Sequence, residues 1–259
     1  MNKLPISLVV VTYNEEKNIE RCLRSVPWAS EIIVVDSYSQ DNTVRLAHEF
    51  GARVFQEKWK GYGRQKASAV EKAKFDWILS LDADEALSSA LASEILQRWP
   101  KFNSMSGYLL PRISFHLGQW IKYGGWFPDY QLRLFHRSSG QWQISSIHER
   151  VQVAQTEKLK NVIQHWVFED ISDQVITNDK YSGLQADALA AAGKKFSLWK
   201  LVFKPMTKFF ETYLLKRGFL DGLPGFIISV SAAYSVFLKW AKLWDLERKM
   251  KLPRPRMDQ

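Results

Sequence analysis

Three apolar runs within the first hundred residues each end in polar or acidic side chains, and segments of helical periodicity separate them. This alternation limits the chain to an α/β fold built on a mostly parallel central sheet flanked by helices. Ile6 to Thr12 is a β-branched run, followed by Tyr13-Asn14-Glu15-Glu16 and then Ile19, Cys22, Leu23 and Val26 at helical spacing. Ile32 to Val35 ends in Asp36, Ser37 to Asp41 reads as a capping loop, and Val44, Leu46, Ala47 and Phe50 form a helical stripe closed by Gly51. A short strand from Ala52 to Phe55, a helix from about Tyr62 to Ala73, and a run from Trp77 into Asp82 complete the pattern. Crossovers between parallel strands are right-handed, so the strands' carboxyl ends share one edge, where open α/β sheets bind ligands.

Thr12 to Glu15, Asp36, and the pair Asp82 and Asp84 converge on that edge. An Asp-x-Asp alone is also what a strand end or a helix cap looks like. Arriving together from three strands, the carboxylates suit Mg²⁺ or Mn²⁺ carrying a diphosphate, because hard divalent cations prefer one or two carboxylates plus substrate phosphates. Strand one is followed by Tyr-Asn-Glu-Glu and not by a glycine-rich turn, which excludes a dinucleotide fingerprint and a Walker phosphate loop. Gly61-Tyr62-Gly63-Arg64-Gln65-Lys66 reads as a helix start that turns Arg64 or Lys66 toward phosphates.

The segments Val-Val-Thr-Tyr-Asn-Glu-Glu, Val-Val-Asp-Ser-Tyr-Ser-Gln-Asp-Asn-Thr and Leu-Asp-Ala-Asp-Glu, in that order, resemble the nucleotide-sugar-binding half of glycosyltransferase family 2. The resemblance implies the GT-A fold, with residues 1–100 binding a nucleotide-diphosphate sugar and 101–193 binding the acceptor. It implies that Thr12, Tyr13, Asn14, Glu15, Ser37, Lys66 and Ala83 line the nucleotide-sugar pocket and that Asp36 meets the base or ribose. Asp84 would ligate the metal, with Asp82 nearer the ribose or a metal-bound water. Gly124 to Phe135, with Ile147-His148-Glu149, is similar to the bacterial lipopolysaccharide core glucosyltransferases of the WaaE/KdtX type, and the likeness runs on through Lys216 to Gly222. It implies an inverting transfer from a UDP-sugar to an inner-core or related glycolipid acceptor.

Inversion at an anomeric carbon is one in-line displacement and needs a carboxylate to take the acceptor's proton. Family enzymes often supply it in an acidic pair after a Gly-aromatic segment, matched here by Gly140-Gln141-Trp142 and His148-Glu149, where His148 replaces the first acid. Glu149 is therefore the favoured base, with Asp129 the runner-up. By the same resemblance His165 would be a third metal ligand or a diphosphate contact. Arg112, Arg133 and Arg137 are candidates for phosphates on an anionic acceptor. Trp120, Trp126 and Trp142 are candidates for stacking on sugar faces, and Trp126, Arg133 and His148 make up the expected acceptor site.

The net charge of +9 is uneven: residues 1–193 carry 22 charges of each sign, and residues 194–259 carry 14 basic and 5 acidic. That tail interleaves lysines with large aromatics, as a helical extension lying on an anionic membrane surface would; a homo-oligomer interface would bury the same aromatics. Its uncharged run, Gly222 to Leu238, is shorter than the roughly 20 residues of a spanning helix. The expected domains are thus a catalytic 1–193 and an extension 194–259. No helix-turn-helix, zinc or RNA-binding signature accompanies the positive charge, so nucleic acid is not an expected partner. Met1 to Pro5 leads straight into strand one and Cys22 is the single cysteine; both fit the cytoplasm or the cytoplasmic membrane face, and a peripheral place at the cytoplasmic face of the inner membrane is expected. Two alternatives stand beside the transferase reading: a polyprenyl-phosphate glycosyltransferase, and a non-catalytic nucleotide-sugar-binding scaffold.

Overall fold

The computed structural model describes residues 3–143 and 150–251. Its contacts divide the chain into two compact units, Met1–Ile113 with Pro128–Trp166, and Ser114–Phe127 with Val167–Gln259. The boundary drawn at residue 193 from charge follows a different line, because 114–127 and 167–193 pack with the C-terminal helices.

In the first unit, β1 (Leu4–Thr12), α1 (Ile19–Arg24), β2 (Ala29–Asp36), α2 (Thr43–Glu49), β3 (Arg53–Gln56), α3 (Tyr62–Glu71) and β4 (Trp77–Asp82) follow the expected alternation. β1 lies between β2 and β4, parallel to both, with β3 outside β2. Its faces are both covered, which explains the unbroken apolar run. Ile6, Leu8 and Val10 pack with Ile19, Leu23, Leu79 and Leu91, while Val9 and Val11 pack with Ile33, Ile78, Ala69 and Phe135. The register sets Thr12 beside Asp36 and Val11 beside Asp82, so the polar strand ends fall on one line.

Beyond β4 the sheet becomes mixed. β5 (Glu85–Leu87), α4 (Ser89–Arg98), β6 (Ser106–His116), β7 (Gln119–Ile121), β8 (Asp129–His136), β9 (Gln141–Gln143), β10 (Arg150–Gln152), β11 (Gln155–Lys158) and β12 (Ile163–Trp166) follow. β8 runs antiparallel to β4 and to β6, and β12 runs antiparallel to β5. The expected parallel sheet forms the β3-β2-β1-β4 side, and beyond it β11 alone of the described pairings runs parallel to its neighbour, β6.

The second unit holds α5 (Ile171–Ala191), α6 (Leu198–Phe210), a π-helical turn Glu211–Leu215, a 3-10 turn Gly218–Asp221 and α7 (Gly222–Lys251). Ala186, Trp240 and Leu243 form its core, with Leu189, Leu201, Val236 and Leu246 against them. Asp221 is buried and accepts the backbone N–H groups of Lys122 (3.2 Å) and Tyr123 (2.8 Å), which gives the Lys216-to-Gly222 segment a structural task. The helical stretch Gly218–Met250 continues well past the run ending at Leu238, and by length and composition it is long and apolar enough to cross a membrane.

Candidate active site

The loops after β1 and β2 are laced together by backbone N–H groups bonded to side-chain oxygens. Asn14 N donates to Ser39 Oγ (2.8 Å), Glu15 N to Thr43 Oγ1 (2.8 Å), Glu16 N to Asp41 Oδ2 (3.1 Å) and Gln40 N to Asn14 Oδ1 (2.8 Å). Asn14 and Tyr38 both take positive φ, a conformation that Asn tolerates through local hydrogen bonds. Asp36 is wholly buried and accepts from Ser39 N–H (2.9 Å), the Ser39 hydroxyl and Gln56 Nε2 (3.2 Å). Its observed task is to shape this loop. Ser37 is tied to Thr12 O through its N–H (2.9 Å), and the Thr12 hydroxyl is buried without a hydrogen-bond partner among the described residues. Tyr13 is 55% exposed at the mouth of this loop pair.

A chain of charges extends from the end of β4. Asp82 lies 2.5 Å from Lys66 Nζ and 2.5 Å from Arg133 Nη2. Arg133 also meets Glu85 at 2.6 Å, and Glu85 binds Arg112 Nη1 at 2.9 Å. Arg112 then donates to Asp129 Oδ2 from Nε (2.9 Å) and Nη2 (2.6 Å), and Gln131 Nε2 donates to Asp129 Oδ1 (2.7 Å). Glu85 is the centre of this chain: its Oε2 accepts the backbone N–H of Asp82 at 3.0 Å, and its side chain is completely buried.

Burial alone would raise the Asp82 carboxyl, but the charges of Arg133 and Lys66 reverse that and hold it far below the usual carboxylate range. Burial alone would lower the Arg133 guanidinium, but Asp82 and then Glu85 raise it well above its ordinary value. Burial and the neighbouring Arg133 lower the Lys66 ammonium, against the pull of Asp82 and Glu85. Burial, then the surrounding carboxylates, push the Cys22 thiol up; its Sγ contacts Asp82 O at 3.6 Å, and it stays a neutral thiol.

Asp84 is different. Three carboxylates (Asp82, Glu85 and Asp129) pair with Lys66, Arg112 and Arg133, and neighbouring Asp84 has no lysine or arginine partner among the described residues. The antiparallel pairing of β5 with β12 sets His165 opposite Glu85, which brings His165 Nε2 to 3.2 Å from Asp84 Oδ2. Asp84 Oδ1 is buried and has no hydrogen-bond partner among the described residues. A buried carboxylate oxygen left in this state is costly unless a cation takes it up. Among the described residues no three acidic, histidine or cysteine side chains gather as a complete metal cage. A cation here would take Asp84 and His165 from the protein and the rest from a ligand, as suits a metal brought in with a diphosphate.

The Glycosyl transferase family 2 model matches residues 7–163, which span this arrangement except His165. The chain belongs to glycosyltransferase family 2. It is 30% identical to the lipopolysaccharide core biosynthesis glycosyltransferase LpsC of Rhizobium meliloti over 273 residues, covering 99% of this chain and 97% of LpsC. It is 33% identical to an uncharacterised glycosyltransferase of Rickettsia prowazekii over 265 residues, covering 94% of this chain and 88% of the relative. Among solved structures, S. aureus TarS 1–349 in complex with UDP-GlcNAc is similar at 13% identity and a TM-score of 0.49, covering 98% of this chain and 93% of that one. The fold is GT-A-like and the protein is a glycosyltransferase.

Several residues of this family-2 enzyme stand elsewhere than expected. Arg133, expected in the acceptor site, is buried against Asp82 and Glu85 because β8 lies directly beside β4. Arg137 binds the Ala73 and Phe75 carbonyls (2.8 and 2.7 Å) and Asp76 (3.0 Å) at the opposite end of the sheet from Asp82, too far along β4 to serve the same phosphates. Lys66 and Asp82, both expected along the nucleotide-sugar pocket, bond to each other, whereas Asp84 has no lysine or arginine partner among the described residues. Trp126 stacks against His116 (centroids 6.0 Å) and Trp120 meets Phe115 (5.2 Å), both within the second unit. His148 and Glu149 lie outside the described residues, as does the side chain of Trp142. Glu85, the hub, received no role from sequence; the signal was present in Leu-Asp-Ala-Asp-Glu, whose last acid looks like one more polar residue beyond a strand.

Proposed function

We propose that this glycosyltransferase moves a sugar, glucose by resemblance, from a UDP-sugar to a hydroxyl of a lipopolysaccharide inner-core or related glycolipid acceptor, with inversion. The observation that carries the reading is Asp84, a half-buried carboxylate with one buried, unpartnered oxygen and an imidazole at 3.2 Å, beside carboxylates that are each paired with lysine or arginine. Asp84 and His165 would hold Mg²⁺ or Mn²⁺, which when bound supplies positive charge for the departing diphosphate. The chain's own residues do the rest. Lys66 and Arg133 fix Asp82, the laced loops of Tyr13 to Glu16 and Ser37 to Thr43 form a rigid rim for the nucleoside, and Ala83 lies in the turn between the two aspartates.

In this reading a carboxylate removes the acceptor proton, and Glu149 is that base. Asp129 is the second candidate, favoured by a specific observation: it ends the charge chain at a 40% exposed side chain, oriented by Arg112 and Gln131. The tail's excess of lysines, and the homologue's lipopolysaccharide core, support an enzyme working at the anionic cytoplasmic face of the inner membrane. Replacing Asp84 by Ala tests the reading: transfer and metal-dependent UDP binding are both lost, and turnover unchanged in that variant ends it. Glu149→Gln abolishes transfer with donor binding intact; loss in Asp129→Asn instead exchanges the two roles.

A further inference from the structure

α6 packs on α7 along one stripe and presents a second apolar stripe outward. Leu201 joins the Trp240 and Leu243 core, and Phe209 meets Phe226 at 5.9 Å. The outward stripe is Trp199, Val202, Phe203, Met206 and Phe210, at helical spacing, each between 47% and 72% exposed. A helix that buries one apolar face and leaves a second bare is built to meet something else, since exposed apolar patches of this size mark interaction surfaces.

The lysines say what that is. Lys200, Lys204 and Lys208 recur every fourth residue along α6, and Lys204 and Lys208 both crowd Lys239 of α7, whose ammonium is lowered by burial and then by those two charges. These lysines flank the aromatic stripe on its α7 side, Lys200 over the Trp240 ring (5.0 Å) and Lys208 paired with Glu211 (3.3 Å), so two copies meeting about a two-fold axis would crowd Lys200 and Lys204 of each copy with only Glu211, already held by Lys208 and Lys216, to receive them. An anionic bilayer supplies the missing charge, at about 1 kcal/mol per lysine near the surface, and accepts Trp and Phe at its headgroup boundary.

We propose that the outward face of α6 is an in-plane anchor that seats in the headgroup region of an anionic phospholipid bilayer. The proposal rests on the membrane association inferred above and narrows it to one helix face. The 13 residues of α6 rise roughly 20 Å, less than the roughly 30 Å of a hydrocarbon core, so α6 lies along the surface. α7 does not span. It is fastened along α5 by Asn178 to Ser231 (2.6 Å) and by Lys242 to Asp179 (2.7 Å), and inserting it would drag Asp173, Asp179, Lys180 and Asp187 of α5 into hydrocarbon.

The test is flotation of the full chain with vesicles of phosphatidylcholine alone and of phosphatidylcholine mixed with phosphatidylglycerol. The wild type floats with the mixed vesicles and not with the neutral ones. Trp199→Ser with Phe203→Ser lowers the partition coefficient at least about tenfold, as expected for two aromatics withdrawn from an interface, with the circular dichroism spectrum unchanged. Lys200→Glu with Lys204→Glu does the same and removes the salt dependence. A wild type that floats with neither vesicle contradicts membrane association itself. A wild type and an aromatic variant that float equally leave membrane association standing and overturn the anchor. Wild type that resists carbonate extraction shows a spanning α7 and overturns the in-plane arrangement, and a dimer abolished by the aromatic changes assigns the face to a second copy.

Discussion

Asp82 and Asp84 stand one residue apart in opposite electrostatic surroundings: Asp82 lies 2.5 Å from both Lys66 and Arg133, whereas Asp84 has the His165 ring at 3.2 Å and one buried oxygen with no hydrogen-bond partner among the described residues. Neutralising each therefore has a different consequence. Asp82→Asn leaves two buried cations short of a counter-charge and costs about 3–5 kcal/mol, whereas Asp84→Asn leaves the unliganded stability within about 1 kcal/mol of wild type. Urea unfolding of the two variants measures the contrast.

Glu85 supplies the second prediction. One of its oxygens receives Arg133 and Arg112, and the other receives the Asp82 backbone N–H. Glu85→Gln keeps the shape and removes the charge, so two guanidiniums lose their shared partner. A loss of about 3–5 kcal/mol follows, together with weakened donor binding because Asp82 is no longer held. Thermal melts with and without UDP report both effects.

The third concerns acid. Glu57 lies 2.5 Å from Lys72 and 2.9 Å from Lys60 and accepts from the Ser68 hydroxyl, and these contacts, Lys72 foremost, push its carboxyl down to about 2. A depressed carboxyl contributes stability above its unfolded value, from which that contribution declines as the pH falls through the folded one. Glu57→Gln is accordingly less stable than wild type at neutral pH, and the difference closes between about pH 4.5 and pH 2. Unfolding midpoints across that range measure the closure.

The fourth reverses a general rule. Glycine inside a helix costs about 1 kcal/mol relative to alanine. Gly225 in α7 is the exception, because a Cβ there would lie 1.9 Å from the carbonyl oxygen of Gly218. Gly225→Ala is destabilising by at least about 1–3 kcal/mol, as overpacking against backbone requires. A melting temperature below that of wild type confirms the close approach.

The first half of the molecule was legible because its information is local. Ile6 to Thr12, Ile32 to Asp36 and Trp77 to Asp82 each announce a strand buried on both faces, and Gly51, at φ +72°, closes its helix as a left-handed residue should. The alignment of Thr12, Asp36 and Asp82 followed, because parallel strands in register deliver their ends to one edge. The site's inner wiring was not legible. Arg112, Arg133 and Glu85 meet through antiparallel pairings of β8, β6 and β4, and a register is set by cross-strand packing that a single chain does not display. Arg133 and Arg137 differ by four positions and look alike in sequence, yet the run of β8 carries one to Asp82 and the other to Asp76. The second unit was legible in composition but not in partition, since charge asymmetry marks residues 194–259 whereas packing enlists α5 and residues 114–127 as well.

The central claim is that Asp84, with His165, holds the divalent cation that carries the donor diphosphate. Isothermal titration of UDP into wild type and Asp84→Asn, with Mn²⁺ and with EDTA, tests it most directly. The account predicts that Mn²⁺ tightens UDP binding to wild type at least about tenfold, a difference of about 1.4 kcal/mol, and that Asp84→Asn binds UDP weakly and equally in both conditions. Equal strengthening by Mn²⁺ in the variant would contradict it.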